Sequence, residues 1–83
     1  MNKGAKMNRV EEIGIKLKKT REKMNLSLDN VAEIVKLKKE DIVDIENGKK
    51  ELSLVMLNKL STMYGMTMEY FLYDIEEPEL IIK

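Results

Sequence analysis

The chain of 83 residues contains no cysteine and no histidine. Without cysteine it has neither a disulfide framework nor a thiolate metal site, and a reducing compartment suits it. Without histidine it lacks the commonest metal ligand and the usual base at neutral pH. These absences exclude metalloenzymes and hydrolases that use a Ser–His or Cys–His pair. We therefore expect no metal and no cofactor.

Long apolar runs are also missing. Charged residues make up 36% of the chain, and its unbroken apolar stretches are far shorter than the roughly 20 residues that a membrane span needs. Residues 1–9 carry charge without a hydrophobic stretch behind them, which predicts a disordered lead rather than a signal peptide. The sequence thus predicts one small cytoplasmic domain without membrane contact.

Charge sums to zero over the whole chain but is unevenly distributed. Residues 1–50 hold 13 Lys and Arg against 9 Asp and Glu, a balance of +4. Residues 51–83 hold 2 against 6, a balance of −4. A basic half favours a nucleic-acid partner, although the solvated surface of a helical protein explains the asymmetry equally well.

Apolar residues recur at three- and four-residue intervals, which is the spacing of helices with one buried face. The first helix is predicted at about residues 10–24. Its expected core stripe is Ile13, Leu17, Thr20 and Met24. Its expected solvent face carries Lys16, Lys18, Lys19 and Lys23.

Four further helices are indicated by their caps and inward-facing residues. The expected N-caps are Ser27, Ser53 and Thr67, and the closing glycines are Gly48 and Gly65. A third helix is expected near residues 39–47. The residues expected to face the core are Val31, Ala32, Val35, Ile42, Ile45, Leu54, Leu57, Leu60, Tyr64, Met68, Phe71 and Leu72. The result is a compact all-α domain over residues 10–73, followed by an acidic and apolar tail at residues 74–83.

Residues 26–48 are the most informative segment, reading L-S-L-D-N-V-A-E-I-V-K-L-K-K-E-D-I-V-D-I-E-N-G. They predict two short helices joined by a tight connection and closed by Glu-Asn-Gly. This is the form of a helix-turn-helix whose second helix reads the major groove of DNA. The exposed face of that helix carries Glu40, Asp41 and Asp44, which a phosphate-coated duplex should repel. The fold is therefore more clearly indicated than the function.

Four segments between residues 13 and 73 resemble the lambda-repressor-like helix-turn-helix family, of the Cro and xenobiotic-response-element type. They are I-G-I-K-L-K-K-T-R, L-S-L-D-N-V-A, I-E-N-G-K-K-E-L-S and L-N-K-L-S-T-M-Y-G-M-T-M-E-Y-F-L. Each is weak evidence alone, but all four occur in order and at the right spacing. The resemblance implies a compact five-helix DNA-binding domain with its helix-turn-helix at helices 2 and 3.

The resemblance also implies roles for particular positions. Arg21 and Glu46 correspond to an internal ion pair that joins the first and third helices, a task suited to bidentate guanidinium–carboxylate geometry. The third helix and the loop after it correspond to the DNA-contacting elements, although a solvated surface explains their lysines equally well. The full set of candidate DNA contacts is Ser27, Leu28, Lys38, Lys39, Glu40, Asp41, Val43, Asp44, Asn47, Lys49 and Lys50.

Eight positions depart from the family pattern. On the recognition helix, the small or polar residues usual at the base-reading positions are replaced by Glu40, Asp41, Val43 and Asp44. The usual glutamine at the start of the second helix is Leu28, and the usual proline of the signature is Leu52. The turn glycine is Lys36, so we expect a turn that manages without a freely left-handed residue. The usual capping Ser or Thr is Lys38, a poor N-cap.

The acidic third helix has a structural explanation for two of its three carboxylates. Glu40 and Asp41 lie in the first turn, where the helix dipole favours an anion by roughly 0.3–1 kcal/mol. Asp44 lies beyond that turn. Carboxylates can also read DNA, because they accept from the N4 amino group of cytosine.

Two functions follow from the sequence. The first is a sequence-specific regulator that binds double-stranded DNA as a homodimer on a palindromic operator. The alternative is a protein-binding helix-turn-helix module, such as an antitoxin or anti-repressor, that presents its acidic helix or tail to a partner protein and binds DNA weakly or not at all. An enzyme acting on a small-molecule substrate is not expected. Glu40 and Asp44 have plausible spacing for a catalytic pair, but no phosphate loop or positioned base accompanies them.

Overall fold

The computed structural model describes residues 9–73, which form five α-helices. They are α1 (Arg9–Lys23), α2 (Leu28–Val35), α3 (Lys39–Glu46), α4 (Leu54–Tyr64) and α5 (Met68–Leu72). The predicted all-α, five-helix architecture is confirmed. Arg9 belongs to α1 rather than to the predicted lead, while the rest of that lead and the predicted tail lie outside the described residues.

Three helices begin at the predicted polar N-caps. The hydroxyl oxygens of Ser27, Ser53 and Thr67 accept hydrogen bonds from the backbone N–H groups three residues later, at 2.9, 3.1 and 3.3 Å. Each bond satisfies an N–H group that has no partner within its helix. The starts of α2, α4 and α5 are therefore determined locally, as predicted.

Helices α1 to α4 are each followed by a left-handed residue: Asn25, Lys36, Gly48 and Gly65, with φ between 58° and 73°. After α3, the backbone N–H of Lys49 donates to the carbonyl of Asp44 at 2.8 Å, and that of Gly48 donates to Ile45 at 3.1 Å. This is the Schellman arrangement that closes helices. The turn between α2 and α3 manages without glycine, as expected, because Lys36 itself adopts the left-handed conformation.

Most of the predicted inward-facing residues form one core. Its buried hydrophobic members are Leu17, Val31, Ala32, Val35, Ile42, Ile45, Leu57, Leu60, Tyr64, Tyr70 and Phe71. The predictions for Met24 and Leu54 are wrong, because their exposed fractions are 46% and 63%. Met24 follows the last residue of α1, and Leu54 is the first residue of α4. The apolar pattern was therefore applied at helix ends, where it no longer indicates a buried side chain.

Lys16 also differs from the prediction, since it does not belong to a solvated lysine face. Its Nζ donates to the carbonyl oxygens of Tyr70 at 2.7 Å and Tyr73 at 3.0 Å, and lies 4.7 Å from the centroid of the Tyr70 ring. Carbonyls at a helix C-terminus lack partners within the helix. Lys16 therefore fastens the end of α5 to α1.

Gly14 allows α1 and α3 to approach closely. A Cβ atom at this position would collide with the carbonyl oxygen of Ile45 and lie 2.7 Å from that of Glu46. Both obstacles belong to the backbone of α3, so no side-chain movement could relieve the collision. The absence of a side chain at Gly14 thus sets the distance at which the C-terminal half of α3 is held.

We expect Gly14→Ala to lower the free energy of unfolding by about 1–2 kcal/mol. Overpacking typically costs ~1–3 kcal/mol, and a collision with backbone atoms belongs in the upper part of that range, at about 2–3 kcal/mol, which exceeds the gain of about 1 kcal/mol in helix propensity. Urea denaturation followed by circular dichroism measures the change. Lys18→Ala, on the exposed side of the same helix, serves as the control and should stay within about 0.5 kcal/mol of the parent. A Gly14→Ala variant as stable as the parent would contradict the close approach.

We expect Lys36→Gly to raise the free energy of unfolding by about 0.5–1 kcal/mol. Glycine removes the Cβ strain of a left-handed residue, worth roughly 1–2 kcal/mol, but increases the entropy of the unfolded chain, at a cost of about 0.4–1 kcal/mol. Lys36→Ala is the matched control, because it shortens the side chain and keeps the Cβ atom. Equal stability of the two variants would show that Lys36 is unstrained.

Candidate nucleic-acid interface

The turn between α2 and α3 fixes how the two helices meet. Lys36 takes the left-handed conformation, and the backbone N–H of Leu37 then donates to the carbonyl of Ala32 at 2.9 Å. Leu37 turns its half-buried side chain against the core. The turn is thus held by one backbone hydrogen bond and one apolar anchor.

Helix α3 has a buried face and an outward face. Ile42, Ile45 and Glu46 are buried. The outward face carries Glu40, which is exposed, and Val43 and Asp44, which are partly exposed; Asn47, the exposed C-cap residue, continues it. Val43 and Asp44 lie three and four residues after Glu40 and four and three residues before Asn47, so the four line one side of the helix. The structure therefore brings together four of the candidate DNA contacts.

A buried ion pair holds α3 to α1. The Arg21 Nε donates to Glu46 Oε2 at 2.7 Å and its Nη2 donates to Oε1 at 3.1 Å, while Nη1 donates to the carbonyl of Leu26 at 3.0 Å. The exposed fractions of Arg21 and Glu46 are 9% and 5%. The hydrogen bonds to Glu46 raise the pKa of Arg21 above its usual value, against the effect of burial. This is the bidentate pair that the family resemblance implies.

Tyr64 brings α4 to the same place. Burial raises the pKa of its hydroxyl to about 12, with a further contribution from the negative charge of Glu46. The phenol therefore stays neutral at physiological pH and adds no third charge beside the pair. Tyr64 of α4 is thus close enough to Arg21 and Glu46 to interact electrostatically with both.

The N-terminus of α3 is capped from within the helix. Lys38 occupies the N-cap position, where the sequence predicted a poor cap. Its side chain has no acceptor for the backbone N–H groups of the first turn. Instead, the Oδ2 atom of Asp41 accepts the backbone N–H of Lys38 at 3.3 Å. This is half of a capping box, with the acid at the third helical position supplying the acceptor.

The same carboxylate also fastens the loop that follows α3. The Nζ atom of Lys50 donates to Asp41 Oδ1 at 2.9 Å. This bond, with that from the Lys38 backbone, lowers the pKa of Asp41. The pKa of Lys50 is raised, mainly by Asp41 and to a lesser degree by the charge of Asp44. Sequence reasoning gave Asp41 a structural role through the helix dipole but missed these two hydrogen bonds, although the Lys38-x-x-Asp41 spacing was available as a signal for the first of them.

The remaining basic candidates stand at the two ends of the outward face. Lys38 and Lys39 are exposed at the N-terminus of α3, and Lys49 is exposed just after its C-terminus. Lys36, in the turn, adds another exposed ammonium group that sequence reasoning considered only as a turn residue. Helix N-termini and lysines both attract phosphate oxygens. The arrangement can therefore hold a duplex by its backbone on either side of α3.

Ser27 and Leu28 lie at the N-terminus of α2. The Ser27 hydroxyl accepts from the backbone of Asn30, and the Asn30 side chain accepts the Ser27 N–H at 3.1 Å, which completes a reciprocal capping box. Leu28 is half-buried against the core. A DNA contact from Leu28 would therefore be apolar.

Two absences among the described residues concern metal binding and membrane crossing. Residues 9–73 contain no cluster of three or more His, Cys, Asp or Glu side chains placed to hold a metal ion. Within the same range, no helix is long and apolar enough to cross a membrane.

Comparison with known proteins points to one family. Residues 14–77 match the family model described as a helix-turn-helix domain. The control protein C.MunI of a Mycoplasma species is 43% identical over 65 residues, which cover 77% of this chain and 88% of that protein.

Two solved structures resemble the fold. The clp gene regulator ClgR from Corynebacterium glutamicum superposes with a TM-score of 0.77 at 23% identity, over 80% of this chain and 70% of that one. The restriction-modification controller protein C.AhdI from Aeromonas hydrophila gives 0.71 at 25% identity, over 77% of this chain and 96% of that one. The names of all three relatives describe controllers or regulators.

The buried ion pair generates a prediction about stability. Arg21→Met leaves the Glu46 carboxylate buried without its partner, so the free energy of unfolding should fall by about 3–5 kcal/mol. The double variant Arg21→Met/Glu46→Leu removes both charges and should lose less than the single variant. Urea denaturation of the full chain measures each value.

A control separates this effect from the loss of any lysine or arginine charge. Lys50→Met breaks the more exposed pair with Asp41, and because solvent screens that pair, this variant should stay much closer in stability to the parent than Arg21→Met does. The single variant Glu46→Leu completes the comparison. If the double variant lost as much stability as Arg21→Met and Glu46→Leu combined, the two side chains would not be coupled.

Proposed function

Because the chain belongs to the helix-turn-helix domain family, we propose that it regulates transcription as a dimer that binds a palindromic operator through α3 and the following loop. The chain is a DNA-binding transcriptional regulator rather than an enzyme. A regulator must reach the chromosome, and we place this one in the cytoplasm. The dimer, the operator symmetry and the residue roles below are parts of the proposal.

The observation that carries the proposal is the outward face of α3 with lysines at both ends. In our proposal Lys38, Lys39 and Lys49 contact phosphates, assisted by Asn47 in the loop. Such contacts release counterions from DNA, so each one adds to the salt dependence of binding. Phosphate contacts position the protein but carry no sequence information directly.

Base reading is assigned to the middle of the same face. Glu40 and Asp44 can accept hydrogen bonds from the N4 amino group of cytosine, and Val43 can contact the methyl group of thymine. Asp41 is left out of this set because both of its oxygens already accept hydrogen bonds within the protein. The proposal therefore predicts cytosines opposite the acidic side chains in each half-site.

The exposed apolar surface of α4 supports a dimer. Leu54 and Val55 are adjacent and have exposed fractions of 63% and 70%, and contiguous exposed apolar surface often marks a protein–protein interface. A second copy could cover them by a two-fold contact. Two copies of α3 would then read half-sites about 34–36 Å apart along the duplex, or a multiple of that distance.

The protein-binding alternative has one observation in its favour, which is the outward position of Glu40 and Asp44. A basic partner protein would be attracted to these carboxylates, whereas DNA phosphates would be repelled. The two functions therefore differ in the effect expected from neutralising Asp44.

We expect selection from random duplex DNA to recover a palindromic motif that the full chain binds with steep salt dependence. Affinity is followed by fluorescence anisotropy from low to physiological salt. Failure to bind any duplex at low salt would overturn the proposal and direct attention to a partner protein.

Two substitutions test the roles of the residues. Lys39→Glu should abolish operator binding, because it replaces a phosphate contact with a repulsive charge. Asp44→Asn should tighten non-specific binding and steepen its salt dependence, because a repulsive charge is removed. Lys18→Glu, with the same charge change on α1, is the control for Lys39→Glu.

If a protein is the partner instead, Asp44→Lys should destroy that complex and Lys39→Glu should have little effect.

A further inference from the structure

The loop that joins α3 to α4, residues 47–53, reads N-G-K-K-E-L-S. The backbone N–H of Lys49 donates to the carbonyl of Asp44 at 2.8 Å, and Ser53 caps α4, so both ends of the loop are held. Residues 50–52 form no backbone–backbone hydrogen bond with any described residue, and no proline fixes φ among them. The position of this middle part therefore depends on its side chains.

Two side chains of the middle part are anchored. Leu52 is half-buried against the core, which is a contact without directional requirement. The Lys50 Nζ donates to Asp41 Oδ1 at 2.9 Å, and the other oxygen of that carboxylate accepts the backbone N–H of Lys38. Because both oxygens are bonded, the carboxylate is held in one orientation and offers Lys50 one defined position. The loop is thus fastened to the N-terminal turn of α3 as well as to its C-terminal turn.

This ion pair is too exposed to account for the stability of the fold. The exposed fractions of the Lys50 and Asp41 side chains are 49% and 24%, and ion pairs in contact with solvent contribute little. The pair also lowers the positive charge that the loop offers to DNA, because Asp41 offsets one of its two ammonium groups. An interface that relied on charge alone would be stronger without Asp41. What the carboxylate supplies is a fixed position for the loop.

We propose that Asp41 is a positioning residue for operator binding, which through Lys50 holds the loop where Asn47 and Lys49 contact phosphates. Asp41 itself contacts no DNA. This role rests on the DNA-binding function proposed above. Asp41 therefore favours the operator although its charge repels DNA, and its removal should reduce the selectivity of binding.

Asp41→Asn tests this role in the full chain by fluorescence anisotropy, with the selected operator and a scrambled duplex of the same length and composition. Affinity for the operator should fall roughly two- to fivefold, which is the size of effect that exposed ion pairs produce. Affinity for the scrambled duplex should rise, because a repulsive charge is lost and Lys50 is released. A change of both affinities in the same direction would overturn the proposal.

Glu51→Gln is the matched control, since it removes one negative charge from the same loop and leaves the bond between Asp41 and Lys50 intact. It should tighten binding to both duplexes alike. Weaker operator binding by Glu51→Gln would show that any charge change in the loop disturbs the interface, which contradicts a specific role for Asp41.

A double variant shows whether Asp41 acts through Lys50. Lys50→Met alone should weaken operator binding, and Asp41→Asn should cause no further weakening in the Lys50→Met background. Lys50→Arg keeps a charged donor for the carboxylate and should retain the affinity of the parent. Additive losses from Asp41→Asn and Lys50→Met would contradict the proposal, as would a loss in Lys50→Arg equal to that in Lys50→Met.

Order in the loop is measured separately, without DNA. The ¹⁵N–{¹H} nuclear Overhauser effect at the amides of residues 49–52 in the full chain reports their motion on the picosecond-to-nanosecond timescale. It should fall in Asp41→Asn and Lys50→Met but not in Glu51→Gln. Unchanged values would overturn the positioning role even if the parent binds its operator. A parent that binds no duplex would overturn the proposed function and this role in DNA binding with it, whereas loss of loop order in the variants would still show the anchor.

Discussion

The contact between α1 and α3 is the constraint on which the rest of the structure depends. Burying a charged pair requires several kcal/mol of desolvation per ion, which is offset only when hydrogen bonds satisfy both groups. Arg21 meets this condition with three donors bonded, two to Glu46 and one to Leu26. Gly14 allows the backbones to come close enough for this geometry. Because α1 holds the inner side of α3, the outer side is presented in a fixed orientation.

The charges on the outward face of α3 are arranged partly by how the N-terminus of that helix is capped. Lys38 occupies the N-cap position without an acceptor, and Asp41 supplies the missing acceptor from inside the helix. The same carboxylate then recruits Lys50 from the loop. Sequence position groups Glu40 with Asp41, because both lie in the first turn of the helix, and sets Asp44 apart. The structure divides the three differently, because one carboxylate organises the site and the other two lie on its outward face.

The features that sequence reasoning predicted correctly are local. Ser27, Ser53 and Thr67 were recognised as caps because their partners lie three residues away, and the buried residues of α2 and α3 followed from helical periodicity. The errors at Met24 and Leu54 lie at helix ends, where the periodic pattern was applied too far. The other departures concern relations that periodicity does not contain. Lys16 is directed by carbonyls more than fifty residues away. Lys36 is left-handed because the packing of α2 against α3 requires that turn, whatever the residue prefers.

Net charge is a poor guide to the partner of this chain, because its lysines have different tasks. Lys16 binds the end of α5, and Lys50 binds a carboxylate of α3, so neither charge is fully available to a ligand. Lys38 and Lys39 are exposed beside a helix N-terminus, where a phosphate would be bound most strongly. A formal sum of zero counts all four equally. The affinity for DNA depends on those charges of one face that are not already bonded within the protein. On α3 these charges are basic at the two ends of the outward face and acidic in its middle. If α3 reads DNA as we propose, such a face would favour duplexes that offer amino groups between the phosphates, and its acidity would then contribute to selectivity.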